Sequence, residues 1–462
     1  MQGGRRGATW RSDHAHDRDD RRRARGEGRG AAHRPRAPPT PASPGRWRIE
    51  SCDRSRRGPE RNAQHAGRLS MCDTLCAVGR KRTLFAKNSN RPRDEVQVVE
   101  SHPRRPTGGS LRTTHLELPD AGAAAVIGSR PAWMWGFEHG INEHGVAIGN
   151  ERIFTTDDPH DAPPALTGMD VVRLGLERGR SADAAIDVMT ALIEEHGQGG
   201  RCSEHHDDPY WSSFLVADAH GAWVVETSGR RWVARAVEDG AAISNRVTLG
   251  VDWTRSSADV APGTDFSHLI DPNVPTEPSD VRLATTRACV TTGADLLTPR
   301  DLVATMRHHG RRAWGAPGDD PSDVDLPQPA GAPGWDAFTV CWHIVPVEST
   351  AASMIAELLP AGGPLRAWFA LGSPCASLYV PTFPPEVPEE LASAHTWARF
   401  RALRDRVEVD RGALTPIRAV LGPVEARLWD DADAVAHDPS RRETFGRAVW
   451  QAVDGALTRL GV

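Results

Sequence analysis

The chain has 462 residues, of which 25% are charged and 39% hydrophobic, with a formal net charge of −5. That length allows two to three domains, and no stretch approaches the length of a membrane-spanning helix. The charge is unevenly spread: residues 1–70 hold 18 Arg, no Lys and 8 Asp+Glu, a net of +10, which leaves −15 for residues 71–462. An acidic body of this kind argues against nucleic-acid binding.

Residues 1–70 are rich in Gly, Pro, Ala and Arg and poor in large apolar side chains. Such a segment buries too little surface to offset its chain entropy, so disorder is expected. It lacks the apolar core of a signal peptide, and it is too acidic for an Arg-rich transit peptide. Three readings stand. It is a basic tail that touches nucleic acid or acidic surfaces, a propeptide cut before Cys72, or upstream sequence not translated in the native protein. The methionine directly before Cys72 favours the last.

The body opens with Met71-Cys72-Asp73-Thr74. Translation from Met71 with removal of that methionine would make Cys72 N-terminal. One residue would then carry a thiol nucleophile and a free α-amine of pKa about 7.7–8.0. Such an amine can take the thiol proton near neutral pH without a separate histidine. The plain alternative is a buried cysteine near the start of a strand.

Thr74–Val78 and Thr83–Lys87 read as strands around the polar turn Gly79-Arg80-Lys81-Arg82, a hairpin signal. Ala123–Ile127 and Val146–Ile148 are short apolar runs suited to buried strands. The period then changes. Met169, Val172, Leu174 and Leu176 are helix-spaced after Thr167, a candidate N-cap, and Ser181 opens a second helix that closes near Gly197. Strands return at Ser213–Ala217, Trp223–Glu226 and Trp232–Ala236, as consecutive hairpins. Residues 251–282 and 311–336 are Pro/Gly/Asp-rich and read as loops, and Phe338–Val345 as a strand. Beyond Pro384-Pro385 the chain becomes helical. Strands in runs and helices in runs predict a layered α+β fold.

Polar clusters fall at expected strand ends and turns. Lys87-Asn88-Ser89-Asn90-Arg91 follows the second strand, whose hairpin partner begins beside Cys72. Gly149-Asn150-Glu151 and Ile243-Ser244-Asn245-Arg246 end other apolar runs. Asn side chains suit an oxyanion hole because they donate without carrying charge; at strand ends they also simply make turns. The seven cysteines (52, 72, 76, 202, 289, 341 and 375) show no paired spacing, which argues against a disulfide framework and for a reducing compartment. Cys72-x-x-x-Cys76 is weak as a zinc or redox motif. His205-His206-Asp207-Asp208 reads as a solvated loop rather than a metal site. No metal or cofactor is expected.

These residues carry a resemblance. Met-Cys-Asp-Thr at 71–74, FAKNSNRPRDEVQ at 85–97, SRPAWMWGFEHGINEHGVAIGNE at 129–151, GMDVVRLGLERG at 168–179 and EHGQGGRC at 195–202 are similar to segments of the secernins and the wider C69 (U34) dipeptidases. That family lies within the N-terminal nucleophile hydrolases. The resemblance runs from about 71 to 383 and fades in the C-terminal helices. It implies a four-layer αββα sandwich over 71–383, with 384–462 as a helical extension and 1–70 absent from the mature protein. It also implies a cytoplasmic cysteine hydrolase of dipeptides or small amides that works through a thioester. Cys72 would be the nucleophile and its amine the base, with Asn150 and Asn245 near the amine or oxyanion and Arg287 as a site arginine. Asn90 stands where many relatives carry an Asp that orients the amine. The implied partner is a small peptide or amide, with no nucleic acid and no membrane; a homo-oligomer is compatible. The alternative reading is a secernin-like protein that binds in the same pocket with little or no turnover.

Overall fold

The computed structural model describes residues 71–310, 338–360 and 363–462, all within the unit Arg57–Val462. The expectations for residues 1–70 and for the 311–336 loop lie outside the described residues.

In chain order the first strands are β1 (Asp73–Val78), β2 (Thr83–Pro92), β3 (Gln97–His102), β4 (Ser110–Arg112), β5 (Glu117–Pro119), β6 (Val126–Pro131), β7 (His139–Asn142) and β8 (Ala147–Ile153). Helices α1 (Gly168–Arg178) and α2 (Ala182–His196) follow, then β9 (Trp211–Ala217), β10 (Ala222–Ser228), β11 (Arg231–Val237), β12 (Gly240–Ile243) and β13 (Arg255–Ser256). The rest comprises α3 (Glu277–Val290), α4 (Pro299–Met306), β14 (His343–Ile344), β15 (Glu348–Leu358), β16 (Arg366–Leu371), β17 (Val380–Thr382), α5 (Ala394–Val409), α6 (Leu414–Val435) and α7 (Pro439–Arg459).

Two antiparallel sheets face each other. One has the order β12-β1-β2-β15-β16-β17, with β14 on β15; the other has β13-β11-β10-β9-β8-β7-β6-β3. The strand period of two decides which side chains meet. In the first sheet Cys76, Phe85, Ile243, Met354 and Phe369 point inward and join Leu215, Val224 and Ile127 of the second. Their sequence neighbours Leu75, Ala86, Ala242, Ile355 and Trp368 point outward, against Leu283, Cys289 and Leu302 of α3 and α4. On the far side Val126, Ile148, Phe214 and Val216 pack against Val172, Leu176, Ile186 and Met189 of α1 and α2. The layers are therefore α, β, β, α, the four-layer order that the resemblance implies.

Local signals explain the helices that cover the second sheet. Thr167 and Asp170 cap α1 reciprocally: Asp170 N–H donates to Thr167 Oγ1 at 3.1 Å and Thr167 N–H to Asp170 Oδ2 at 3.0 Å. Ser181 caps α2, and Gly197 ends it with φ of 78°, a conformation that favours glycine. The C-terminal helices continue the same core. Phe400, Leu421 and Val453 belong to the inter-sheet cluster, and Trp429 of α6 stacks on Trp368 at 4.6 Å.

Three expectations need correction. The polar run Lys87–Arg91 lies inside β2, which continues to Pro92, because β15 pairs with it through Arg91 and Pro92. Glu277–Asp280 starts α3 rather than ending a loop, with Pro278 in the first turn, where its missing N–H costs nothing. Only His343–Ile344 of the expected strand 338–345 pairs as a strand.

Candidate active site

Cys72 lies at the entry to β1, 5% exposed. Register places Asp73 opposite Asn88, so Cys72 runs beside Ser89 and Asn90. Asn90 N–H donates to Cys72 Sγ at 3.3 Å. The backbone nitrogen of Cys72 donates to Asn245 Oδ1 at 2.7 Å, and Asn245 Nδ2 in turn donates to Arg152 O at 2.9 Å. That second bond fixes the amide so that its oxygen faces Cys72.

Arg282, from α3, organises this corner from the outer face of the sheet. Its Nη1 reaches Cys72 O at 2.9 Å and Asp73 Oδ2 at 2.6 Å, while Nη2 reaches Asn245 Oδ1 at 2.9 Å. Ser244 Oγ donates to the other Asp73 oxygen at 2.9 Å. Burial raises the Asp73 carboxyl, and Arg282 opposes that. The planar fork of a guanidinium lets one residue hold three acceptors at once.

The inner face carries a second charged group. Lys87 Nζ donates to Asn150 O and lies 3.3 Å from Glu151 Oε2, while Thr74 Oγ1 bonds the other Glu151 oxygen. Lys87 and Glu151 are fully buried. Burial pushes the Glu151 carboxyl up to about 8, against the pull of Lys87. Burial also works against the Lys87 ammonium, but Cys72, Glu151 and Glu138 outweigh it and keep the ammonium favoured. Burial raises the Cys72 thiol strongly; Lys87 is the largest influence in the other direction. Gly149 leaves room for this lysine, since a Cβ there would meet Lys87 Cδ at 2.6 Å.

The structure brings together only part of the expected set. Asn245 meets Cys72 through its side chain, and Asn90 meets it through its backbone. The Asn90 side chain points elsewhere, with Oδ1 accepting from Thr350 Oγ1 at 2.8 Å. Asn150 turns its side chain to the outer face, where Nδ2 contacts Met169 Sδ of α1 at 3.4 Å; only its carbonyl faces Lys87. Arg287 is exposed. It lies five positions beyond Arg282, about 140° round the helix, so Arg282 and not Arg287 reaches Cys72. Arg282, Lys87 and Glu151 were missed as site residues. Strand alternation could have revealed two of them, since Glu151 sits one position from Asn150 and Lys87 three from Asn90, odd spacings that put each on the opposite face.

A cleft of about 910 Å³ lies nearby, lined by Arg152, Phe154, Tyr210, Trp211, Asp271 and Val274 among others. Met71, 1% exposed, packs with Phe338 and Trp342 and with the cleft residues Phe154 and Val274. His206, Asp207 and Asp208 also line the cleft, and Asp208 pairs with Arg152 at 2.5 Å.

Residues 72–274 match the model of peptidase family C69. Two curated relatives from Streptococcus pyogenes, serotype M3 (strain SSI-1) and serotype M1, each called probable dipeptidase A, are 28% identical over 179 residues. The match takes in 37% of this chain and 34% of each relative, so the chain spans about a third of the length of the curated relatives it matches. Among solved structures, a mutant of conjugated bile acid hydrolase from Clostridium perfringens is 12% identical with a TM-score of 0.35, covering 65% of this chain and 89% of that one. The N-acylethanolamine-hydrolyzing acid amidase ortholog of Caenorhabditis elegans is 10% identical with a TM-score of 0.27, covering 38% and 71%.

Proposed function

From the match of residues 72–274 to the model of peptidase family C69, we propose that this protein is a cysteine N-terminal hydrolase that cleaves a dipeptide or small amide. One observation carries the reading: the Cys72 nitrogen is held 2.7 Å from Asn245 Oδ1 while its sulfur accepts from the Asn90 N–H. A nitrogen so placed becomes the α-amine once Met71 and everything before it are gone. Asn245 then orients the amine, and the neutral amine takes the thiol proton. The thiolate attacks the scissile carbonyl carbon, and the carbonyl electron pair moves to oxygen. Collapse expels the leaving amine, which takes a proton from the α-ammonium, and leaves a thioester on Cys72. Water, deprotonated by the same amine, cleaves the thioester and releases the acid. Lys87 supplies fixed positive charge on the inner face, which favours the thiolate.

Loss of Met71 also empties the buried space that its side chain occupies beside Phe154 and Val274, both of which line the cleft. The cleft is thereby the proposed substrate site, and a small substrate suits it. Cytoplasmic location is part of the same reading.

Binding without turnover is the second reading. It is favoured by the buried state of Cys72 with Met71 attached, in which the nitrogen is an amide and cannot act as the base. The deciding experiment uses chains that begin at Cys72, verified by intact mass, against a dipeptide panel. Turnover together with a thioester adduct trapped on Cys72 by acid quench supports hydrolysis. Panel binding with no turnover and no adduct supports the second reading.

A further inference from the structure

Another cluster of reactive side chains lies at the opposite end of the β2–β15 pairing from the hairpin turn. His309 follows α4, Cys341 and His343 precede β15, and Cys375 sits in the turn Pro374–Ala376 after β16. One ligand atom from each lies within 4.8 Å of every other. His309, Cys341 and Cys375 are 4%, 0% and 0% exposed, and the His343 side chain is 1% exposed. His343 Nε2 is 3.4 Å from Cys341 Sγ and 3.5 Å from Cys375 Sγ.

We propose that His309, Cys341, His343 and Cys375 form a structural site for a divalent zinc ion. Zinc bonds thiolate sulfur at about 2.3 Å and imidazole nitrogen at about 2.0–2.1 Å, so a tetrahedral site has nitrogen–sulfur edges of about 3.6 Å. Both measured edges lie close to that value. Two thiolates and two imidazoles select zinc over magnesium or calcium, which prefer oxygen ligands. Four protein ligands leave no open position, which marks a structural rather than a catalytic ion.

The surroundings complete the site. Glu408 Oε1, on α5, lies 2.9 Å from His343 Nδ1. This fixes Nδ1 as the donor and turns the Nε2 lone pair toward the two sulfurs, the usual carboxylate support of a zinc-bound histidine. Zinc binding releases one proton from each cysteine, and two thiolates then neutralise the ion.

The ion would tie three separate segments together behind the Cys72 corner. Trp342, between two of the ligands, donates its backbone N–H to Thr350 Oγ1 at 2.8 Å, and Thr350 in turn donates to Asn90 Oδ1. The Trp342 ring also lies 5.1 Å from the Arg282 guanidinium. The site does not depend on whether Cys72 turns over substrate.

The test uses the chain from residue 72 with Cys72→Ala, which removes the other reactive thiol. Zinc is measured by elemental mass spectrometry after purification under reductant, and Co2+ is then exchanged in. The expected result is one zinc per chain, and a cobalt form with the strong visible bands and thiolate charge-transfer absorption of tetrahedral coordination. Cys341→Ser with Cys375→Ser should abolish both signals, and Cys289→Ser should leave them intact. Glu408→Gln should weaken zinc affinity by about 10–100-fold. A chelator should lower the melting temperature, and added zinc should restore it. If the double variant fails to fold, the cobalt spectrum of the parent decides alone. Absence of zinc and of a tetrahedral cobalt spectrum overturns the site, as does a metal signal that persists in the folded double variant.

Discussion

Arg282 Nη1 lies 2.6 Å from Asp73 Oδ2, with both side chains fully buried, and the same guanidinium bonds Cys72 O and Asn245 Oδ1. The pair joins α3 to the first residues of β1. It places a compensated charge directly behind the proposed nucleophile, so the position of the Cys72 nitrogen depends on a residue 210 positions away.

Breaking that pair should be costly. Removal of one partner from a buried ion pair typically costs about 3–5 kcal/mol because the other charge stays buried and alone. Arg282→Gln should lose stability on that scale. Arg282→Lys should lose less, because the charge opposite Asp73 remains, yet its turnover should still fall because an ammonium cannot span Cys72 O and Asn245 together. Urea denaturation measures the first effect, and kcat with a dipeptide the second. Equal stability for both variants would place the stabilisation in packing rather than in the pair.

Cys72→Ala should abolish turnover and keep the fold. Cys76 points into the inter-sheet core and is fully buried among apolar neighbours. Cys76→Ala should therefore cost about 1 kcal/mol of packing and keep most activity. The measurement is hydrolysis by chains that begin at Cys72. Equal loss from both substitutions would argue for a joint role of the two thiols.

Asn90→Asp should move the pH–rate profile. A carboxylate near the α-amine stabilises its protonated form and raises its pKa. The limb that reports loss of the amine proton should shift to higher pH by a fraction of a unit to about one unit. Asn90 reaches Cys72 through its backbone N–H, which Asn90→Ala retains. That variant should lose only a few-fold in rate. A profile for Asn90→Asp that superimposes on the native one would show that the side chain, held by Thr350, does not sense the amine.

Glu425 predicts acid sensitivity. Burial opposes its charge, but Arg307, Arg418 and the Tyr379 N–H hold its carboxyl down to about 2, from an ordinary 4.5. A carboxyl lowered in the folded state adds stability above its ordinary pKa. That stability disappears as pH falls from about 4.5 to about 2. A shift of this size corresponds to about 3 kcal/mol. Glu425→Gln should be less stable than the native chain at pH 7, and the gap should narrow as the pH approaches 2. Denaturant midpoints across that range test it; a constant gap would remove Glu425 from the acid response.

Much of the layered fold was legible from local pattern. Period-two runs, the Gly79–Arg82 turn and the Thr167 and Ser181 caps act over a few residues, so they predict β1, β2, β9–β11, α1 and α2 without knowledge of the rest. Cys72 became a candidate through its chain neighbour Met71, and the resemblance, not the local pattern, singled it out over a plain buried strand cysteine. Side-chain direction and long-range pairing were not. Reading Lys87–Arg91 as a strand end hid the alternation that sends Lys87 inward and Asn90 toward Thr350. Asn150 and Glu151 are adjacent, yet only the tertiary structure shows that Glu151 faces Lys87 while Asn150 faces α1. The choice of Arg282 over Arg287 required the rotation of α3 against β1. The His309, Cys341, His343 and Cys375 cluster has no short spacing to announce it, because three separate segments supply its ligands. Sequence determines what each segment can form locally; which side chains share a buried corner is decided only when the sheets and helices pack.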